Sequence, residues 1–288
     1  MTLPGELGAA VERELGSAVT RGRRVGGGCI NQGWVVELAD GPRAFVKTRQ
    51  DAPPGEYANE AAALRWLAEP GTVRVPEVLG VSESGVRLLA LEYVEEGTLS
   101  AAGAERLGRG LAELHAAGAE GFGGSAPLRI GALELTNEPA GAWPAFYAER
   151  RLRPLVGRAR AAGALSAAGA AAVERVCERI YDLSGPSEPP ARLHGDLWSG
   201  NVLAGTDGCA WLIDPVAYGG HREVDLAMLR LFGSPDGRLF EAYDEARPLA
   251  DGHEERVGLW QLFPLLVHAV LFGGGYGASV ERTARRYA

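Results

Sequence analysis

The chain has 288 residues, of which 46% are hydrophobic and 23% charged, with a formal net charge of −8. That balance is ordinary for a globular protein long enough to bury a large core. The acidic excess, with no clustered Arg or Lys to neutralise phosphates, argues against a nucleic-acid partner.

In chain order, residues 5 to 18 predict a first amphipathic helix, with Leu7, Val11 and Leu15 at helical spacing. Glu6, Glu12 and Glu14 fall where a signal peptide needs an apolar core, so export is not expected. Next come strands: "RRVGGGCINQGWVVEL", a turn at "ADGP", and "RAFVKT" predict a hairpin opened by a glycine-rich loop. A second helix is predicted over 56 to 69, then strands at "VPEVLGVSE" and "VRLLALEYV". Strand, strand, helix, strand, strand predicts a small antiparallel sheet with one helix packed on it. After "EEGT" (95 to 98) the character is mostly helical: 100 to 118 carries a stripe of Leu107, Leu111 and Leu114, and 143 to 159 and 166 to 183 predict two more helices. The longest apolar run, 259 to 275, is interrupted by Gln261, Pro264 and His268 and is short for a span, which predicts a buried helix and no membrane anchor. Cys29, Cys177 and Cys209 are odd in number and widely spaced, which fits a reduced cytoplasmic chain without structural zinc. The expected division is an N-terminal lobe over residues 1–94 and a C-terminal lobe over residues 95–288. No feature marks a dimer surface, so a monomer or weak dimer is expected.

One composition detail points to chemistry. Of 29 cationic residues, 28 are Arg and one, Lys47, is Lys. A drift toward Arg should be resisted only where a planar guanidinium cannot replace a compact ammonium, and phosphate contact from a half-buried strand is such a place. A snorkelling surface lysine is the ordinary alternative. Thirteen residues later Glu60 falls in the predicted second helix, and strand Lys plus helix Glu is the ion pair that positions a phosphate-binding lysine in kinase-type folds. Gly26, Gly27 and Gly28 lie between two predicted strands, where backbone N–H groups can cover nucleotide phosphates, or simply turn the chain. Cys29 follows them as a candidate redox-sensitive thiol.

The most informative stretch is "RLHGDLWSGNVL", 192 to 203. Asp196 and Asn201 have the separation of base and metal ligand in a kinase catalytic loop. After a "GTDG" turn, "WLIDP" brings Asp214 to the end of the returning strand, and an amide and a carboxylate oxygen suit Mg²⁺ that is also held by phosphates.

Taken together, "GGGCIN" (26 to 31), "FVK" (45 to 47), "NEAAALRWL" (59 to 67), "LALEYVEEG" (89 to 97), "WPAFYAERRLRP" (143 to 154), "LHGDLWSGNV" (193 to 202) and "IDPVAYGGHREVDLAMLRLFG" (213 to 233) resemble the fructosamine kinase (ketosamine-3-kinase) family. That family lies within the wider aminoglycoside-phosphotransferase and protein-kinase-like fold. The resemblance implies an α+β, two-lobed protein-kinase-like fold, with an antiparallel sheet and helices in the N-terminal lobe and a mostly helical C-terminal lobe. It implies an N-terminal nucleotide-binding lobe and a C-terminal catalytic and acceptor-binding lobe. By the same resemblance Lys47 contacts the ATP phosphates with Glu60 as its partner, Glu92, Tyr93 and Val94 offer backbone hydrogen bonds to adenine, Asp196 accepts or orients the sugar hydroxyl proton, and Asn201 and Asp214 hold Mg²⁺. His194 and Asp225 brace the loop. The implied acceptors are ketosamines, small or protein-bound glycated amines, phosphorylated at the sugar 3-hydroxyl so that the amine is recovered. Trp198, His221, Arg222 and Glu223 are the acceptor-side candidates. The family's machinery on another hydroxyl acceptor, an aminoglycoside or a metabolite sugar, and a non-catalytic nucleotide-binding regulator are the alternatives.

Overall fold

A computed structural model of the chain describes residues 3–26, 32–233 and 236–288. The expectations placed on Gly27, Gly28 and Cys29 lie outside the described residues. Packing separates two compact units, 1–103 with 202–215, and 104–201 with 216–288.

The first unit opens with α1 (Gly5–Leu15), followed by β1 (Val19–Val25), β2 (Gln32–Leu38), β3 (Arg43–Thr48), α2 (Glu56–Ala68), β4 (Val78–Ser82) and β5 (Leu88–Glu92). The five strands form one antiparallel sheet in the order β1-β2-β3-β5-β4. Alternation along a strand sends successive side chains to opposite faces. Trp34, Val36, Ala44, Val46, Leu88 and Ala90 therefore share one face, where Leu7, Ala10 and Val11 of α1 cover them. The other face presents Leu89, Leu91 and Phe45 to Tyr57, Ala61 and Leu64 of α2. The sheet is thus covered on both sides, whereas the sequence pattern predicts one helix on it. The α1 stripe is as expected, with Leu7 and Val11 buried and Leu15 packed at the edge. Residues 202–215 complete this unit as a hairpin: Leu212 N donates to Arg74 O at 2.8 Å, and Gly97 N to Ala204 O at 2.8 Å.

The second unit takes most of α3 (Ala101–Ala117), then β6 (Leu128–Ile130), β7 (Leu133–Leu135), α4 (Trp143–Phe146), α5 (Arg153–Ala161), α6 (Ala167–Glu178), α7 (Ile180–Leu183) and β8 (Ala191–Leu193). The hairpin β9 (Val202–Ala204) and β10 (Ala210–Leu212) follows, then β11 (Tyr218–Gly220), α8 (Glu223–Leu231), α9 (Arg238–Ala246), α10 (His253–Phe272) and α11 (Tyr276–Ala284). Between α4 and α5 the chain widens into a π-helical turn, Tyr147–Leu152. Pro154 at the start of α5 has no N–H to give the preceding turn, and proline is tolerated in this first turn of a helix. The aromatic core of this unit gathers Trp143, Phe146, Tyr147, Tyr218, Trp260 and Phe263. Among the described residues no helix is long and apolar enough to cross a membrane.

Candidate active site

In the first unit the site begins at Lys47. Strand alternation turns Phe45 and Lys47 toward α2, the helix that carries Glu60. Lys47 Nζ donates to Glu60 Oε1 at 2.7 Å and to Asp214 Oδ1, which the hairpin brings from 167 residues away. Lys47 is only 6% exposed. Burial alone would lower its pKa, but the two carboxylates outweigh burial and hold it above the usual lysine value, so the ammonium keeps its charge. Burial lifts the Glu60 carboxyl above its usual range, with the Lys47 ammonium pulling the other way.

Asp214 has φ 55°, the one left-handed non-glycine backbone among the described residues. It precedes Pro215, a position ordinarily extended, so its backbone is held in a sparsely populated conformation at the point where its carboxylate meets Lys47. At the edge of the sheet, Glu92 closes β5 opposite Ala44, and Tyr93 and Val94 follow directly. The Arg43 guanidinium lies 4.5 Å from the centre of the Tyr93 ring and pairs with Glu95 at 3.1 Å, which fixes the path of this segment. Gly26 is the exposed residue just beyond β1.

In the second unit, β8 pairs with β11 and delivers the loop His194, Gly195, Asp196. Gly195 has φ 83°, and a Cβ there would lie 2.0 Å from Val216 O, so only glycine fits between the histidine and the aspartate. Asp225, fully buried in the first turn of α8, accepts from His194 N at 2.7 Å and Gly195 N at 3.0 Å. Behind it, His115 Nε2 lies 3.3 Å from Asp225 Oδ2 and Nδ1 lies 2.8 Å from the Tyr243 hydroxyl. A carboxylate only accepts, so Nε2 carries the proton and Nδ1 accepts from Tyr243. Burial pushes the Asp225 carboxyl up, but His115, His194 and the Gly195 N–H more than offset it and its pKa lies below the usual value.

Asn201 Nδ2 donates to Asp196 O at 2.8 Å and to Asp196 Oδ2 at 3.1 Å. This fixes the amide's orientation and leaves Oδ1 as its acceptor face. Trp198 lies between the two, its carbonyl accepting from Asn201 N at 2.9 Å. Its ring is folded over Gly200, where a Cβ would come within 2.3 Å of it, and remains 37% exposed.

His221, Arg222 and Glu223, the acceptor-side candidates of the sequence, are each no more than 5% exposed. Arg222 makes two hydrogen bonds to Glu188, at 2.7 and 2.9 Å, and two more to the carbonyls of Arg247 and Pro248. Glu223 accepts from Arg256 at 2.9 and 2.6 Å and from Trp260 Nε1 at 2.8 Å. The His221 ring stacks on Trp260 with centroids 5.3 Å apart, and burial lowers its pKa. Polar groups this deep must be paired, and these are paired inside the unit.

Two residues that hold the loop were not singled out from the sequence. His115 had a signal, an ionisable group on the buried stripe of α3 beside Leu111 and Leu114. Arg151, wholly buried in the π turn, donates to Asn137 Oδ1 at 2.6 Å and Thr136 O at 3.0 Å and lies 4.5 Å from the centre of the Tyr218 ring. Tyr218 in turn packs against Gly195, where a Cβ would come within 3.1 Å of its ring.

A strand lysine paired with a helix carboxylate on a five-stranded antiparallel sheet, followed by a largely helical unit bearing an Asp and an Asn five apart, defines a kinase-like phosphotransferase. A macrolide 2′-phosphotransferase from Brachybacterium faecium shares this fold, with a TM-score of 0.62 at 19% identity, covering 99% of this chain and 98% of that one. More specifically, the family model of fructosamine kinase matches residues 7–287, and the chain belongs to that family. A solved structure from Thermobifida fusca, assigned to the fructosamine-3-kinases, superposes with a TM-score of 0.91 at 44% identity over 98% of both chains. The ketosamine-3-kinase of Mus musculus is 33% identical over 93% of this chain and 96% of its own length.

Proposed function

We propose that this protein is an ATP-dependent kinase that phosphorylates the 3-hydroxyl of ketosamines, the adducts left by amine glycation. The observation that carries the reading is Lys47, the one lysine of the chain, buried and held as a cation between Glu60 and Asp214. The two carboxylates already offset the burial of that charge, and a buried ion pair is weak evidence for stability, so its presence here supports a functional role.

In this reading Lys47 contacts the α and β phosphates of ATP, Glu60 keeps it aimed, and the backbone at Glu92, Tyr93 and Val94 takes the adenine. Gly26, Gly27 and Gly28 cover the phosphates. Asp196 accepts the proton of the sugar hydroxyl as its oxygen bonds to the γ phosphorus and the bond to the β-bridging oxygen breaks, releasing ADP. The donors Asn201 Oδ1 and the Asp214 carboxylate are oxygens only, a set that fits Mg²⁺ rather than zinc. Asn201 and Asp214 would hold Mg²⁺, which would supply charge neutralisation at the phosphates. Positioning and charge neutralisation supply most of the rate, because phosphoryl transfer asks little covalent chemistry of the protein. Trp198, in the same loop and 37% exposed, is the residue that would stack on the sugar. His221, Arg222 and Glu223 brace the second unit instead of touching the acceptor.

The test is Asp196→Asn. The variant should bind ATP as the wild type does and lose turnover by about a thousandfold, within the range expected for losing a positioned base together with its hydroxyl orientation. Unchanged turnover would remove Asp196 from the role.

A further inference from the structure

Trp198 is one end of a run of rings that the reaction as described does not use. Its ring meets Phe232 edge-on, centroids 6.3 Å apart. Phe232 lies 4.7 Å from His268, and His268 lies 5.4 Å from Phe272 and 5.0 Å from Tyr276. All five belong to the second unit, the unit that carries Asp196. The far end is open: Phe272, in the last turn of α10, is 59% exposed, the near end, Trp198, is 37% exposed, and both are among the few large hydrophobics left on the surface. A single exposed ring is unremarkable, but exposed rings joined by a continuous run of ring contacts and ending two residues along the chain from Asp196 point to a ligand.

The middle of the run decides the chemistry. His268 Nδ1 lies 2.8 Å from Pro264 O, and a carbonyl can only accept, so Nδ1 carries the proton. Burial lowers the ring's pKa below the usual histidine value, with the Pro264 carbonyl acting the other way, and the neutral imidazole keeps Nε2 as an acceptor. The shelf therefore offers aromatic faces and an acceptor nitrogen, with no charged side chain in the run. A ketosamine carries a secondary ammonium where the sugar joins the amine, and beyond it the hydrocarbon arm of that amine. Aromatic faces attract an ammonium and remove an apolar arm from water.

We infer that Phe232, His268, Phe272 and Tyr276 form the subsite for the amine arm of the acceptor, continuing from the sugar at Trp198. This rests on the ketosamine reading of the site. It makes the enzyme selective for adducts of amines with long apolar or aromatic arms.

The experiment compares two acceptors with the same sugar, the fructosyl adducts of methylamine and of phenethylamine, in the wild type, Phe272→Ala and Phe272→Tyr. Phe272 is exposed, so its truncation leaves the fold intact. The expected result is a KM for the phenethylamine adduct at least fivefold below that of the methylamine adduct. Phe272→Ala should abolish most of that gap by raising only the phenethylamine KM, with kcat and the KM for ATP unchanged, and Phe272→Tyr should restore it. Equal KM values in the wild type, or an equal change for both adducts in Phe272→Ala, would overturn the subsite while leaving ketosamine kinase activity in place. Turnover of neither adduct by the wild type would overturn the ketosamine reading and the subsite with it.

Discussion

At the scale of single residues the account turns on what an ammonium does that a guanidinium cannot. Lys47 has room for one small cation between Glu60 Oε1 and Asp214 Oδ1. Lys47→Arg preserves charge but spreads it over a planar fork that would stay paired with the carboxylates. Steady-state kinetics against ATP should therefore show both Lys47→Arg and Lys47→Met losing kcat/KM by about a hundredfold or more, the scale of removing one charge-stabilising donor. An arginine variant within threefold of wild type would remove the special need for lysine. Lys47 and Glu60 were legible in the sequence, one as the solitary lysine and the other by its spacing into a helix. The left-handed backbone of Asp214, and its bond to Lys47 across 167 residues, were not, because neither a φ angle nor a contact of that range leaves a local mark.

Elements hold these residues in place through buried polar pairs, and this gives two further predictions. His115 joins α3 to α8 and α9 through Asp225 and Tyr243. His115→Phe keeps the volume but removes a donor from a buried carboxylate and an acceptor from a buried hydroxyl, which should cost about 2 to 3 kcal/mol in urea unfolding. The same change should lower kcat about tenfold at unchanged KM for ATP, because the His194 and Gly195 amides are aligned by Asp225. A variant with wild-type kcat would limit His115 to stability alone.

The second prediction concerns pH. His221 is buried with its pKa below 6.5, so the unfolded chain binds its proton more readily than the folded one. Its contribution is fully present above about pH 6.5 and is lost as pH falls from there toward the folded value. Asp225 works in the same direction but lower, losing its contribution only as pH falls from 3.8 through its folded value. Between pH 7.5 and 5.5 the wild type should therefore lose more stability than His221→Phe. Parallel urea midpoints for the two proteins across that range would show that His221 takes up its proton as readily in the fold as in the unfolded chain, against the shift. The helices and strands themselves were largely legible from periodicity. The hairpin of β9 and β10 was legible from its GTDG turn, whereas β8 and β11 are three residues each and carry no period to read, so the burial of His221, Arg222 and Glu223 just beyond β11 was not.

For the whole molecule, a single cut near residue 95 describes a change of character along the chain, while packing assigns residues 202–215 to the unit of the first strands. What binds that hairpin there is backbone bonding to Arg74 and Gly97, far away in sequence and independent of side-chain type. Nucleotide binding should appear as a global stabilisation, since a ligand that binds only the folded chain adds about 2.7 kcal/mol at a hundred times its dissociation constant. Mg-ATP should raise the melting temperature of the wild type and of Asp196→Asn alike, the rise should vanish with EDTA, and Lys47→Met should show little of it. A Lys47→Met shift equal to the wild type's would separate nucleotide binding from this lysine.

The measurement that bears most directly on the account is ADP release with Mg-ATP across fructosyl-lysine, ribulosyl-lysine, a glycated protein, an aminoglycoside and choline, with Asp196→Ala alongside. Turnover confined to the ketosamines and abolished in Asp196→Ala is the predicted result. Turnover only on the aminoglycoside or choline, or activity that persists in Asp196→Ala, would contradict it.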